Sequence, residues 1–301
     1  MKYMEIIRIK GNTFCITTGM TYIPFYKIND KEIIMLDSGW AKGQRQGIDE
    51  LLEKNNFNVV AIICSHAHVD HIGNNTFLKK KHKSIIAMPA YESLICSSVV
   101  NLKLYYSNQT LSDVALHFGH MVCHTDIMIF DNQETISIYG TTFKILHTPG
   151  HSPAHICITT PDDVAYIGDA LISHEVMNGS KMPYAYILTE DLLSKTKLYD
   201  LKCNKYIVAH KGVYNDITQL ITDNIHFYKS RATAIYTLIK GAMTMQDILK
   251  VVIENFNINI SNKYKYTLIE RMLSSYVEYL IETGLISLNI DNGFLKYSKI
   301  S

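Results

Sequence analysis

The segment from residue 66 to residue 71 holds four side chains that can bind a metal ion, His66, His68, Asp70 and His71. Imidazole nitrogens and carboxylate oxygens are the ligands that zinc and similar divalent ions prefer in proteins. The segment follows residues 59–64, a short apolar run rich in β-branched residues that predicts a strand buried on both faces. Residues at the end of such a strand lie where α/β sheets usually place their binding sites. One packed core histidine is ordinary, but four candidate ligands together predict a metal site.

The composition is typical of a globular protein with one large and one small domain. The chain has 301 residues, of which 47% are hydrophobic and 19% charged, and its formal net charge is +1. This charge balance favours neither a nucleic-acid surface nor an acidic tail. No apolar run approaches the roughly 18 residues of a membrane helix. Residues 1–10 lack the apolar core of a secretion signal, and the six cysteines form no CxxC pair. We therefore expect a cytoplasmic protein with reduced cysteines and no membrane partner.

Alternating strand and helix patterns predict α/β layers in the first three quarters of the chain. Residues 91–130 have no clear period, and our hypothesis there is a helical insertion that covers the site. The predicted strands and helices lie at residues 33–36 (strand), 48–54 (helix), 59–64 (strand), 135–139 (strand), 142–146 (strand), 155–159 (strand), 164–167 (strand), 190–199 (helix) and 206–209 (strand).

Beyond residue 225 the pattern changes to three helices and a hairpin. Thr244 and Asp247 form a variant of the capping box at the start of the second helix, and Gly284 is placed to end the third. Asn292-Gly293 is a strong hairpin signal. Three helices followed by a hairpin resemble a winged helix, so we expect domains at 1–225 and 226–301. The predicted helices and strands lie at residues 227–240, 244–255, 262–283, 285–290 and 294–298.

Three more candidate ligands follow predicted strands in the second half of the chain. They are His151, Asp169 and His210. A glycine precedes both His151 and Asp169, which lets the backbone turn sharply and approach a site closely. With the first segment, the chain offers five histidines and two aspartates. These are enough ligands for two metal ions with four or five ligands each.

The chain carries the motif His-x-His-x-Asp-His, followed in order by a histidine, an aspartate and a histidine. This pattern resembles the metallo-β-lactamase superfamily over residues 1 to about 225. The resemblance implies a four-layered αβ/βα sandwich of two β-sheets flanked by helices, with the metals at one edge between the sheets. It also implies two divalent ions, which we expect to be zinc, although iron and manganese suit the same ligands. The ligands it implies are His66, His68 and His151 for one ion, Asp70, His71 and His210 for the other, and Asp169 as a bridge.

Two such ions would hold a bridging hydroxide of lowered pKa that attacks an acyl carbon or a phosphorus atom. Asp70 is the candidate residue for orienting this nucleophile and handling its proton. Flavodiiron-type oxidoreductases carry Glu at the position of His68, and secreted β-lactamases normally carry Cys or His at that of Asp169. Persulfide dioxygenases use a mononuclear site. We therefore expect a hydrolase of a small ester, thioester or lactone, and His155 resembles the histidine of glyoxalase II-like enzymes.

The alternative is a phosphodiesterase or ribonuclease, because some ribonucleases of the superfamily carry a C-terminal winged helix. A nucleic-acid surface should be basic, but the third helix of the predicted domain has no net charge. We therefore expect the predicted winged-helix domain to lie at a homodimer interface or beside the pocket. Lysines at 79, 80, 81 and 83 keep the alternative open, although a charge run is usually a solvated helix end. A regulator without catalysis ranks last because no ligand is missing. The charges of that helix are Lys263, Lys265, Arg271, Glu270, Glu278 and Glu282.

Several other histidines and tyrosines have two interpretations each. We expect His147 and His155 to pack near the ligands rather than to bind metal. The histidines of the insertion are expected to be solvated or to line a pocket, although a third metal there stays an alternative. The tyrosines could cap a substrate, but packing at a surface is the common role of this residue. These residues are His117, His120, His124, Tyr22, Tyr26, Tyr184 and Tyr186.

Overall fold

Residues 4–300 are described by a computed structural model in which two β-sheets pack face to face. Helices cover the outer face of each sheet, so the expected four-layered αβ/βα sandwich is confirmed. Within this range no helix is both long and apolar enough to cross a membrane.

The first sheet has seven strands in the described chain, and their spatial order is their order along the chain. The first four strands pair antiparallel, and the last four pair parallel, which places helices in their connections. The predicted strands at 33–36 and 59–64 are confirmed. The strands are β1 (Glu5–Lys10), β2 (Thr13–Thr17), β3 (Tyr22–Lys27), β4 (Glu32–Leu36), β5 (Asn58–Ile63), β6 (Ile85–Pro89) and β7 (Ile127–Ile129).

Five α-helices and one short 3-10 helix, Gly119–Met121, cover the outer face of this sheet in the described chain. The first begins at Ala41, earlier than the predicted start at residue 48, and it is kinked at Lys42 and Gly43, which leave helical geometry. The region from 91 to 130 is an insertion of helices, as expected. The helices are α1 (Ala41–Lys54), α2 (Asn75–His82), α3 (Ala90–Ile95), α4 (Val99–Tyr105) and α5 (Leu111–Phe118).

The second sheet has six strands in the order β13-β12-β11-β10-β9-β8 within the described residues. Only the β11–β12 pair among them is parallel. The strands and the first two covering helices are β8 (Thr135–Ile138), β9 (Thr141–His147), β10 (Ile156–Thr159), β11 (Val164–Gly168), α6 (His174–Gly179), α7 (Leu188–Lys197), β12 (Lys205–Val208) and β13 (Gly212–Tyr214).

Strand side chains alternate between two cores, because successive residues of a strand point to opposite faces. Ile34 of β4 lies in the cluster between the sheets, whereas Ile33 packs under the helices of the first sheet. In β11, Tyr166 faces the inner cluster and Ile167 faces the outer one. Both faces of each central strand are therefore buried, which explains their nearly continuous apolar sequence.

The C-terminal part consists of three helices and a hairpin. Thr244 and Asp247 form the expected capping box, and Asn292 and Gly293 have the positive φ angles that a tight hairpin turn requires. The first helix runs without a break through residue 225, so the predicted boundary lies inside it. The two-domain division and the winged-helix interpretation stay predictions. The elements are α8 (Thr218–Leu238), α9 (Met245–Asn255), α10 (Lys263–Glu282), β14 (Ile286–Asp291) and β15 (Phe294–Lys299).

Helix α10 packs on the sandwich rather than apart from it. One hydrophobic cluster extends from Ile167 of β11 through Leu192 of α7 to Leu273 of α10. The Tyr276 hydroxyl in α10 donates a hydrogen bond of 2.8 Å to the Pro183 carbonyl oxygen. Helix α10 is thus part of the wall around the edge where β5, β11 and β12 end.

A buried carboxylate on α3 connects the two loops that carry candidate ligands. Glu92 is 1% exposed and accepts hydrogen bonds from the backbone N–H of Ala67, the Ser152 hydroxyl and the backbone N–H of Ala154. Burial raises the pKa of Glu92, and these three donors oppose that effect. The carboxylate therefore holds the 66–71 loop against the 148–155 loop.

Replacing Glu92 by Ala should lower the free energy of unfolding by about 2–4 kcal/mol, because three buried donors lose their acceptor. Glu92→Gln should lose less, since its amide oxygen still accepts. Urea and thermal unfolding measure both variants against Glu254→Ala, an exposed carboxylate on α9. If Glu92→Ala unfolded like Glu254→Ala, the carboxylate would not hold these loops.

Candidate metal centre

The seven predicted ligands converge at one edge of the sandwich. Residues 66–71 follow β5, Asp169 follows β11 and His210 follows β12, while His151 lies in the loop between β9 and β10. Strands of both sheets end at this edge, so residues far apart in the chain meet there. They form two groups in which the candidate ligand atoms lie within 4.8 Å of one another.

The first group contains three histidines and an aspartate. His66 Nε2 lies 2.9 Å from His68 Nδ1, and His151 Nε2 lies 3.0 Å from that same atom. Asp169 Oδ2 lies 3.3 Å from His151 Nε2. Three imidazole nitrogens and one carboxylate oxygen are a complete four-coordinate set for zinc.

The second group contains Asp70, His71 and His210. His210 Nε2 lies 3.3 Å from Asp70 Oδ2 and 3.3 Å from Asp169 Oδ2. His71 Nε2 lies 3.4 Å from Asp169 Oδ1. Asp169 therefore contacts both groups, which is the arrangement that a bridging carboxylate requires.

Three ring and carboxylate atoms of the centre are buried without a hydrogen-bond partner among residues 4–300. They are His71 Nε2, His151 Nδ1 and Asp169 Oδ1. Buried polar atoms are rarely left unpaired, and His71 already donates from Nδ1 to Asp37 Oδ2 at 2.8 Å. Its Nε2 thus faces Asp169 Oδ1 at 3.4 Å, and a divalent cation between them would give both atoms a partner.

The electrostatics of the two groups differ. Burial lowers the pKa of His68 to about 3, and it lowers the pKa values of His66 and His151 as well. The Asp169 carboxylate instead raises the pKa of His210 to about 10. The first group therefore offers neutral imidazoles, and the second draws positive charge toward two carboxylates. A divalent cation satisfies both requirements.

Asp37 orients two of the histidines and was missed as a functional residue in the sequence. Its carboxylate accepts hydrogen bonds from the backbone N–H and hydroxyl of Ser65, from His71 Nδ1 and from the Tyr166 hydroxyl. The Ser65 oxygen in turn accepts from His66 Nδ1 at 2.9 Å. Asp37, His66 and His71 also lie close enough together to form a further candidate ligand group. Its oxygens are already engaged, so we assign it the role of orienting ligands.

His155 holds the backbone of Asp169. The Asp169 N–H donates to His155 Nε2 at 3.0 Å, and His155 Nδ1 contacts the Thr148 hydroxyl at 2.9 Å. A Cβ on Gly168 would lie 2.5 Å from His155 Nε2, and one on Gly150 would lie 2.0 Å from the backbone nitrogen of Asp191. Both glycines are thus needed for close approach, as expected.

A cavity of about 310 Å³ opens beside the first group. The insertion contributes Tyr106 and Phe118 to its walls, and α10 contributes Tyr264 and Arg271. The insertion therefore covers the site, as hypothesised, and α10 borders the pocket. The Tyr105 hydroxyl lies 3.1 Å from His68 Nε2, so it can fix the ring of that ligand.

The remaining histidines and tyrosines divide between this region and the rest of the fold. His117 and His120 line a second cavity, of about 360 Å³, which shares Asp70 with the first. Tyr184 lines the first cavity. His124 is exposed, His147 contacts the Gln133 carbonyl oxygen, Tyr186 packs against Tyr105, and Tyr22 and Tyr26 pack on the core between the sheets.

Sequence comparison identifies curated relatives. A hydroxyacylglutathione hydrolase, GloC, of Haemophilus influenzae is 28% identical over 199 residues, which are 64% of this chain and 85% of that protein. A lactamase-like protein, adaB, of Aspergillus niger is 24% identical over 73% of this chain and 56% of its own. An uncharacterized protein of Aquifex aeolicus is 28% identical over 42% of this chain, which spans about half (53%) of that relative.

Solved structures share the fold over nearly the whole chain. A metallo-beta-lactamase family protein from Thermus thermophilus has a TM-score of 0.69 at 17% identity, covering 99% of this chain and 98% of its own. A beta-lactamase domain protein from Burkholderia ambifaria has a TM-score of 0.70 at 12% identity, covering 98% and 94%. At these identities the likeness shows the fold alone.

The sequence profile of the metallo-beta-lactamase superfamily matches residues 17–95 and 127–210, which together are more than half of the chain. The unmatched residues between these segments include α4 and α5. All seven candidate ligands lie within the matched segments. The chain belongs to the metallo-beta-lactamase superfamily.

Proposed function

We propose that this protein is a dinuclear metal-dependent hydrolase of a small ester, thioester or lactone. Superfamily membership and the hydroxyacylglutathione hydrolase among its relatives indicate a hydrolase. The observation that carries the proposal is the contact of Asp169 with both groups of ligand atoms, beside a cavity of only about 310 Å³. That volume lies at the lower end of small-molecule pockets.

The first ion would be held by His66, His68 and His151, and the second by Asp70, His71 and His210, with Asp169 between them. Zinc is our first choice, and iron or manganese suit the same ligands. When bound, such ions supply an activated water and a Lewis acid for the carbonyl oxygen.

Side chains of the protein itself position the reacting groups and handle the proton. The histidines beside Asp70 hold its pKa below the usual range despite burial, so it is a carboxylate that can accept a proton from water. Burial raises the pKa of Tyr184, which therefore stays protonated and can donate a hydrogen bond to a developing oxyanion. Asp37 keeps the rings of His66 and His71 in place. Asp70 is thus the proposed catalytic residue.

The contacts of the basic residues favour a small molecule over RNA. Lys263 of α10 pairs with Asp113, and Lys81 pairs with Asp49 and Glu53. These partners reduce the positive charge that phosphate contacts would use. A phosphodiesterase or ribonuclease is the alternative that the substrate test includes. A cytoplasmic location and homodimer contacts through the C-terminal part stay predictions.

Protein purified without added metal should contain about two divalent ions per chain by elemental analysis. His210→Ala should reduce this content, because it removes a ligand of the second group. His124→Ala, at an exposed histidine outside the centre, should retain two ions. One ion or fewer per chain in the fully loaded wild-type protein would overturn the dinuclear proposal.

Asp70→Ala should lower kcat by at least about 10²-fold, since the carboxylate both binds metal and handles a proton. The fold should survive, because Asp70 is partly exposed in a loop. Steady-state kinetics and circular dichroism measure the two effects, with Asp131→Ala at an exposed, remote position as the control. An active Asp70→Ala variant would remove this residue from the mechanism.

A parallel assay of a thioester, a lactone, an aryl phosphodiester and a short RNA tests the reaction class. We expect the metal-loaded protein to cleave the thioester or the lactone, and His66→Ala to cleave neither. The His66→Ala preparation also controls for contaminating hydrolases. Cleavage of the RNA or the phosphodiester alone would reverse the assignment.

A further inference from the structure

Arg271 of α10 is surrounded by four tyrosine rings. Its guanidinium carbon lies 4.0 Å from the ring centre of Tyr105 and 4.8 Å from that of Tyr106. The distances to the ring centres of Tyr186 and Tyr184 are 5.4 and 5.8 Å. All four fall within the range of cation–π contact. The rings fix the guanidinium in place and leave its edge for hydrogen bonds.

The charge of Arg271 has no counter-charge among residues 4–300. Its Nη2 atom is buried and makes no hydrogen bond with any of them, and no carboxylate there forms an ion pair with it. A buried donor without an acceptor is costly, and such groups usually have a partner that completes them.

The unpaired guanidinium shares a cavity with the candidate metal centre. Arg271 lines the same 310 Å³ space as His68, Asp70 and His151. Tyr105, which stacks on the guanidinium, also contacts His68 Nε2. A molecule in this cavity can therefore contact the ligands and Arg271 at the same time.

We propose that Arg271 binds an oxyanion of the substrate, a carboxylate or a phosphate, while the scissile ester or thioester lies over the histidine ligands. The substrate class is thus a small acyl compound with an acidic substituent. This inference rests on the proposed hydrolase function. A planar guanidinium edge suits two parallel hydrogen bonds to such a group.

Two matched thioesters test the charge preference. The N-acetylcysteamine thioesters of succinate and butyrate have acyl chains of equal length, and only the first carries a carboxylate. Arg271→Gln should lower kcat/KM for the succinyl thioester about 10- to 100-fold, mainly through KM. Its effect on the butyryl thioester should be under about threefold. The loss of kcat/KM for the succinyl thioester in Arg271→Lys should be smaller than in Arg271→Gln, since a lysine keeps the charge without the planar edge.

The matched control is Arg231→Gln. Arg231 also stacks on aromatic rings, those of Phe227 and Phe256, and also has a buried nitrogen without a partner among the described residues. It does not line the cavity of Arg271. The control should leave both thioesters unchanged. An equal loss for both thioesters in Arg271→Gln would show that Arg271 only supports the tyrosines, and the proposal would be wrong.

Calorimetric titration with succinate and with inorganic phosphate gives a readout independent of hydrolysis. Wild-type protein should bind at least one anion more tightly than Arg271→Gln, and the stronger anion assigns the group as carboxylate or phosphate. If the wild type binds in this way but cleaves neither thioester, the anion site stands and the hydrolase proposal fails. If the wild type cleaves both thioesters equally well, and Arg271→Gln binds both anions as tightly as the wild type does, the hydrolase proposal stands and the anion-site proposal fails.

Discussion

The buried carboxylate of Asp37 is the interaction on which the candidate metal centre depends. Asp37 directly follows β4, beside the strand that carries the ligand loop, and its carboxylate accepts four hydrogen bonds from three side chains and one backbone N–H. Through these hydrogen bonds the carboxylate reaches His66 and His71, which belong to different ligand groups. One carboxylate thus fixes a ring in each group, and it ties β4 and β5 to β11 through Tyr166.

Two other buried groups extend this framework to the second sheet. Glu92 joins the 66–71 loop to the 148–155 loop, and His155 holds the backbone of Asp169. Each acts on the main chain rather than on a ligand ring. The centre is therefore held by polar contacts between loops, while the hydrophobic clusters hold the layers that carry those loops. This division lets the site stay polar inside an otherwise apolar sandwich.

The C-terminal part and the insertion are the elements that shape the cavity. Both lie outside the matched segments of the family profile, apart from α3 and β7, and they supply Tyr105, Tyr106 and Arg271. The candidate ligands thus lie in the matched segments, whereas much of the cavity wall, including Tyr106, Phe118, Tyr264 and Arg271, lies outside them. Members of one superfamily can share a centre in this way and differ in what they bind.

Local patterns were enough to predict much of the fold and all seven candidate ligands. The buried strands at β4 and β5, the capping box of Thr244 and the turn at Asn292 depend on neighbours within a few residues, so their sequences contain the necessary information. Four of the candidate ligands were found because they lie in one short segment, and His151, Asp169 and His210 because each follows a predicted strand. The predicted starts of α1 and α8 were too late, and the missed part of α8 includes Leu220 and Ile221, which are buried in the cluster of the second sheet.

The sequence by itself indicated the seven candidate ligands, four in one short segment and three after predicted strands, and it indicated α/β layers from alternating strand and helix patterns. The four-layered sandwich was implied by the resemblance to the metallo-β-lactamase superfamily. Only the tertiary structure decided which residues support the ligands and what faces the substrate. Asp37 contacts a histidine 34 positions away, Glu92 contacts a residue 62 positions away, and Arg271 meets tyrosines of the insertion. Contacts over such separations depend on how the layers pack, which no local pattern contains.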